Sequence, residues 1–193
     1  MKTDILIAGV GGQGILLTTN VIGQAAVRKN YKVIGTETHG MAQRGGSVVS
    51  HVRIGDVYSP LIPKGHADFL ISLEPAEALR NISYLRENGF SIINIVPFIP
   101  RISSAKYPKI EEILENLLEL SQAILIDAIK IAEKAGSRLA ANIAILGATS
   151  AVREFPLNDK LLKEVILESV PPKTVDINLR AFDLGREEAL EQL

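Results

Sequence analysis

The sequence predicts an α/β protein: a three-layer α/β/α Rossmann-like domain with a mixed, mostly parallel sheet and a helical C-terminal third. Three observations carry that prediction. The apolar run "LIAGV" ends in glycines and gives way to the helix-like "GILLTTNVIGQAAVR". Further short β-branched runs then alternate with helix-like segments, the pattern of βα units. From about residue 127 to residue 193 the pattern is almost wholly helical, so we read residues 1–193 as one domain with a helical extension over about 127–193.

Taken in order, Asp4–Ala8 is a strand, and Gln13–Lys29 is the helix that follows its glycines. Tyr31–Glu37 is a second strand because Val33 and Ile34 lie in a short run between breakers. Thr38–Gly46 is polar and glycine-rich and reads as a loop. Ser47–Ile54 alternates, pauses at Gly55–Asp56 and restarts as Val57–Ile62, which predicts a β-hairpin and hence a mixed sheet. Asp68–Leu73 is a buried strand, and "EPAEALRNISYLRENG" is a helix entered through Pro75 and stopped by Gly89. Ser91–Val96 is another strand, and Glu111–Leu120 and Ile126–Ala135 are helices around a short strand at Ala123–Ile126. Ala140–Arg153 and Lys160–Ser169 are helical, and Pro171–Pro172 precedes a helical tail that covers the domain or docks a partner.

The bulk properties narrow the function. With 47% apolar residues the chain fills a sizeable core. A net charge of −1 leaves no electrostatic footprint for nucleic acid. No apolar run approaches the length of about 20 residues that spans a bilayer, and the N-terminus carries no secretory pattern, so the expectation is a cytoplasmic protein. The chain has no cysteine, which excludes disulfides, a thiolate nucleophile and thiolate ligation of an iron–sulfur cluster within it.

"GVGGQG" contains Gly9, Gly11 and Gly14 in the G-x-G-x-x-G spacing, with Gly12 and Gln13 between them. Such a turn brings the backbone close to a phosphate at a helix N-terminus. Glu37, 23 positions after Gly14, answers the ribose-binding acid expected about 20 positions on. NAD or FAD binding by Gly9, Gly11, Gly14 and Glu37 is therefore one reading; helix–sheet packing is the other. The loop "TETHGMAQRGGSVVSHVRIG" adds His39, Gln43 and Arg44, with Gly45–Gly46 as an anion-binding nest. A plain dinucleotide domain has no need of it. His51 and Arg53 share one strand face and are read as a cross-strand pairing with a carboxylate, and His66 as structural. Glu74, Glu77 and Arg80 are read as a helix cap and an i,i+3 ion pair. No histidine spacing makes a metal site, and no acid–base or nucleophile constellation stands out. Gly55–Asp56 followed by Val57 departs from the GDG of thiamine pyrophosphate motifs.

The combination of "GVGGQG", "ETHGMAQRGGSVVSHVRIG", "PLIPKGHADFLISLEPAEALR" and "GFSIIN" resembles the gamma-type domain of 2-oxoacid:ferredoxin oxidoreductases. "AANIAILGA" and "NLRAFDLG" bring it nearest to the small (beta) subunits of the indolepyruvate type. The resemblance implies a hetero-oligomer in which a large (alpha) subunit carries thiamine pyrophosphate and iron–sulfur clusters and passes electrons to ferredoxin. Coenzyme A is then the co-substrate, and the small subunit holds no cofactor and no catalytic residue of its own. On that reading the glycine turn and the Arg44 loop contact a coenzyme A phosphate, contact the substrate carboxylate, or lock the subunit interface. Against it stand a stand-alone NAD- or FAD-dependent oxidoreductase, a pyruvate- or other 2-oxoacid-specific subunit, and a non-catalytic regulatory module.

Overall fold

The computed structural model describes residues 2–40, 45–99 and 107–193. Among them, six strands form one sheet in the order β2-β3-β1-β4-β5-β6. The strands are β1 (Lys2–Val10), β2 (Val33–His39), β3 (Ser47–Gly55), β4 (Ala67–Ser72), β5 (Leu85–Asn94) and β6 (Gln122–Ile126). The β1/β4, β4/β5 and β5/β6 pairs are parallel, whereas β3 runs antiparallel to both β1 and β2. The sheet is therefore mixed and mostly parallel, as the sequence predicts.

β1 sits in the middle and is buried on both faces, so it reads as a continuous apolar run. Ile5 and Ile7 point into one core, Leu6 and Ala8 into another. The larger core lies under α1 (Ile15–Arg28), α4 (Ala128–Ala135), α5 (Ala141–Ala151), α6 (Asp159–Ser169) and α7 (Val175–Leu190). On the opposite face α2 (Pro75–Asn81) and α3 (Ile110–Leu120) cover β5 through Ala78, Ile93, Ile113 and Leu117. These are the three expected layers.

α5 is buried from Asn142 to Thr149, and this explains the weak amphipathicity of "AANIAILGATSA". It crosses α7 at backbone contact. A Cβ on Gly147 would collide with the carbonyl of Phe182, and one on Gly185 with the carbonyl of Ala144. At the far edge of the sheet, the Gln192 side chain accepts from the Leu125 N–H (3.1 Å) and donates to its C=O (3.0 Å). It thereby occupies hydrogen-bonding groups of the exposed strand β6.

Two elements differ from the sequence reading. Val57–Ile62 is not a strand; the hairpin is instead β2–β3. The reason lies in β3. Arg53 pairs with its register partner Asp4 (Nε–Oδ1 2.7 Å, Nη2–Oδ2 3.1 Å) and donates to the carbonyls of Ser59 (3.0 Å) and Leu61 (3.1 Å). His51 Nδ1 accepts from the Ile62 N–H at 3.2 Å, which leaves the proton of the neutral ring on Nε2. Burial, and then the Arg53 charge, hold the His51 pKa below its usual value. Side chains, not a sheet ladder, fix residues 57–62. The expected pairing of this face with a carboxylate is Asp4–Arg53.

The helix expected over residues 74–89 stops at Asn81, whose side-chain amide donates to the Glu77 carbonyl (2.9 Å). The chain re-enters the sheet at Leu85. Gly89 is not a helix stop. It belongs to an irregularity in β5, where the register jumps from Ala67–Leu85 to Phe69–Phe90 and the Leu85 side chain fills the space of a Cβ.

Gly147→Ala or Gly185→Ala should force the α5 and α7 backbones apart and cost about 3 kcal/mol. Gly23→Ala, in a helix position with open space around its Cβ, should instead stabilise by about 0.5–1 kcal/mol. Urea denaturation of the three variants gives both signs. Arg53→Met leaves the fully buried Asp4 carboxylate with only the half-exposed Lys2 ammonium, at 3.0 Å, an expected loss of about 3 kcal/mol. Because the same guanidinium holds two carbonyls of the 57–62 segment, limited proteolysis should show faster cleavage there than in the wild type.

Candidate functional site

β1 ends at Val10, and residues 11–14 form the turn into α1. Gly12 (φ 102°) and Gly14 (φ 87°) lie in the left-handed region that glycine adopts without strain. Gly14 has a second reason to lack a side chain. Asn142, at the start of α5, packs where its Cβ would be and donates to the Gly14 carbonyl at 3.2 Å. Gly9 is confined by Gln13, Ile15 and Leu73. The Gln13 side chain accepts from the Val10 N–H (2.7 Å) and donates to the Leu73 carbonyl (3.0 Å), so its amide bridges β1 to the end of β4.

The second loop meets the first. Gly11 N–H donates to the Gly46 carbonyl (2.8 Å), and Gly45 N–H to the Gly11 carbonyl (3.3 Å). Two donors expected to face an anion thus hold the two loops together. Ser47 continues the anchoring with a 2.6 Å hydrogen bond to Glu77 Oε2. His39 ends β2, and its side chain, Gln43 and Arg44 lie outside the described residues.

Two clefts flank this junction. One, of about 260 Å³, is lined by Gly12, Gln13, Gly14, Leu73, Asn94, Phe98, Arg138, Leu139 and Asn142. It opens at the carboxyl ends of β1, β4 and β5, beside the point where the chain turns to opposite sides of β1, which is where open α/β sheets bind ligands. The first turn of α1 contributes N–H groups without an intrahelical acceptor, and Arg138 contributes a largely exposed guanidinium, also 3.2 Å from Glu133. Sequence reading missed Arg138, Asn94, Phe98 and Asn142. Asn94 and Asn142 carried a signal, as parts of the "GFSIIN" and "AANIAILGA" segments; Arg138 and Phe98 carried none.

The other cleft, of about 340 Å³, lies between Gly45–Ser47 and α2 and is lined by Glu74, Glu77, Arg80, Phe98 and Tyr107. Its acids are buried but occupied. Glu74 Oε2 caps α2 through the Glu77 N–H (2.8 Å), and Oε1 accepts from the Tyr107 hydroxyl and the Phe98 N–H. Glu77 pairs with Arg80 at 2.6 Å. The cap and i,i+3 pair read from the sequence are both present. Burial, reinforced by the Glu74 hydrogen bond, pushes the Tyr107 hydroxyl pKa well above the usual phenol value. Through these contacts the two carboxylates tie α2, Ser47, Phe98 and Tyr107 together beside the glycine turn. Glu37 lies on edge strand β2, paired with Ser50, which pairs in turn with Ile7. With β3 interposed, it stands two strand spacings, about 10 Å, from β1. The adjacent-strand placement of a ribose-binding acid is lost.

Among the described residues no group of three or more His, Asp or Glu side chains is placed to hold a metal, and no helix is long and apolar enough to cross a membrane. Comparison with known proteins places this arrangement. Residues 4–188 match the family described as pyruvate ferredoxin/flavodoxin oxidoreductase. The chain is 45% identical to the indolepyruvate oxidoreductase subunit IorB of Archaeoglobus fulgidus, over 98% of this chain and 96% of that one. It is also 45% identical to the subunit of the same name from Thermococcus kodakarensis, over 98% and 97%. The gamma subunit of the keto/oxoacid ferredoxin oxidoreductase of Geobacter sulfurreducens superposes with a TM-score of 0.74 at 25% identity, covering 98% of this chain and 99% of that one. The chain belongs to the pyruvate ferredoxin/flavodoxin oxidoreductase family.

Proposed function

We propose that this chain is the small, cofactor-free subunit of a cytoplasmic, thiamine pyrophosphate-dependent 2-oxoacid:ferredoxin oxidoreductase that converts indolepyruvate and related aryl 2-oxo acids to the aryl-acetyl-coenzyme A. The observation that carries the reading is the locked pair of glycine loops, which presents a helix N-terminus and a guanidinium around one cleft. The identity to indolepyruvate oxidoreductase subunits along nearly their full length supports the substrate class.

The residues present do not fit the redox and carbanion cofactors. There is no cysteine for an iron–sulfur cluster, and Val57 stands where a thiamine pyrophosphate motif has its second glycine. The reading therefore assigns both cofactors to the large (alpha) subunit, which reduces ferredoxin. Residues 1–193 act as one gamma-type domain whose helical extension carries a wall of the cleft. This chain's contribution is positioning. Gly12, Gly14 and Arg138 face an anion, either a coenzyme A phosphate or the substrate carboxylate, with Arg44 as a further donor, while Gly45 and Gly46 lock the two loops together. Exposed Phe98, Ile99 and Leu139 beside them supply apolar contact for the large subunit.

Co-expression with the large subunit tests the reading. The complex should oxidise indolepyruvate with coenzyme A and ferredoxin at a kcat/KM at least about tenfold above that for pyruvate or 2-oxoglutarate. The chain alone should neither turn over nor bind NAD or FAD in the micromolar range, about −8 kcal/mol. Arg44→Ala and Arg138→Ala should each keep the melting midpoint of the chain within about 2 °C while lowering kcat/KM of the complex about tenfold. Unchanged kinetics in both would remove the anion-facing role, and nicotinamide or flavin turnover by the chain alone would overturn the assignment.

A further inference from the structure

The opposite end of α5 borders a second polar cleft. About 420 Å³ in volume, it lies where the end of α5 and the 152–159 turn meet α7, and its lining includes Lys29, Ser150, Arg153, Asp159 and Arg186. Three cations and one carboxylate among these side chains leave a surplus of two positive charges.

The cations are not used up internally. Arg186 is half-buried, and its Nε is fully buried with no hydrogen-bond partner. Among the described residues Arg186 and Arg153 form no hydrogen bond or ion pair. Lys29 donates to the Pro156 carbonyl (3.1 Å), which holds its ammonium at the rim. A buried guanidinium N–H without an acceptor forfeits the hydrogen bond it had with water. The guanidinium is thus held here without an internal counter-charge, and its planar fork suits an oxyanion with two or more oxygens in one plane that meets it from the open side of the cleft. The surplus of two charges matches a phosphate group, which carries about −1.5 to −2 near neutrality, better than a single carboxylate. The volume lies within the range of small-molecule sites.

We propose that this cleft binds a phosphate group, with Arg186 and Arg153 as its principal donors and Lys29 at the rim. It is about 13 Å along α5 from Asn142 and the glycine turn, so it is independent of the function proposed above.

Thermal melts and calorimetric titration of the full chain test it, with inorganic phosphate, ADP and, at matched ionic strength, sodium chloride. Phosphate at roughly ten times its Kd should raise the midpoint by about 3–5 °C, and chloride should not. Arg186→Gln and Arg153→Gln should each weaken phosphate binding at least about tenfold. Arg186→Met, which keeps the apolar stem and removes the orphaned donor, should melt no lower than the wild type without ligand and still lose the phosphate response. Tighter binding of ADP than of phosphate identifies a nucleotide as the source of the group; equal or weaker binding identifies free phosphate. Equal shifts in phosphate and chloride, or a response that survives in the R153Q/R186Q double variant, would overturn the proposal.

Discussion

The crossing of α5 and α7 is the constraint on which the rest of the molecule depends. Glycine at 147 and 185 lets two helices touch through their backbones, and α5 is thereby sunk into the core with scarcely a solvent-facing side. A helix held so firmly transmits position to both its ends. Its first turn delivers Asn142 against Gly14, and the short segment before it sets Arg138 at the mouth of the glycine-turn cleft. Its last turn delivers Ser150 and Ala151 to the cationic cleft. The helical C-terminal third is thus more than a cover over a finished α/β unit. It builds one wall of the glycine-turn cleft and one of the cationic cleft.

β3 is the second constraint, and it changes what the glycine fingerprint means. In a dinucleotide-binding unit the second strand lies beside the first, so that an acid at its end meets a ribose seated on the glycine turn. Here an antiparallel strand is inserted between them. The insertion moves Glu37 away and brings Gly45, Gly46 and Ser47 to the turn in its place. The loop then binds the turn by two backbone hydrogen bonds and α2 by Ser47–Glu77. The same G-x-G-x-x-G spacing serves both architectures, because the spacing specifies only the strand–turn–helix geometry and not which strand lies next door.

This is also why the sequence was legible in some places and not in others. Local signals were reliable. The apolar run of β1, the glycines of the turn at 12 and 14, and the Pro75 entry to α2 each act within a few residues. Asp4–Arg53 was anticipated as a carboxylate pairing because strand alternation places Arg53 and His51 on one face. What failed depended on distant partners. Val57–Ile62 has the composition of a strand, but Arg53 and His51 take the backbone groups a ladder would use. Residues 85–89 look like the end of a helix, but β4 recruits Leu85 into the sheet. In the cleft, Gly12 and Gly14 were legible as a turn, whereas Arg138 and Asn142 reach it from more than a hundred residues away through the α5–α7 crossing. No periodicity encodes that.

The network of buried acids orders the loops that face a partner subunit in the function proposed above. Glu74 gathers the α2 N-terminus, the Phe98 backbone and Tyr107, while Glu77 holds Ser47 and Arg80. These contacts order Ser47, the Phe98 backbone and Tyr107 around α2, beside the glycine turn. Association between proteins loses affinity to the ordering of loops at the interface, and loops already ordered by buried charge lose less. Phe98, whose backbone is tied to Glu74 while its ring stays partly exposed between the two clefts, shows the principle at one residue. A rigid apolar contact is displayed beside open helix N–H groups, so the partner-facing and anion-facing surfaces of the proposed function would be fixed by the same hydrogen bonds.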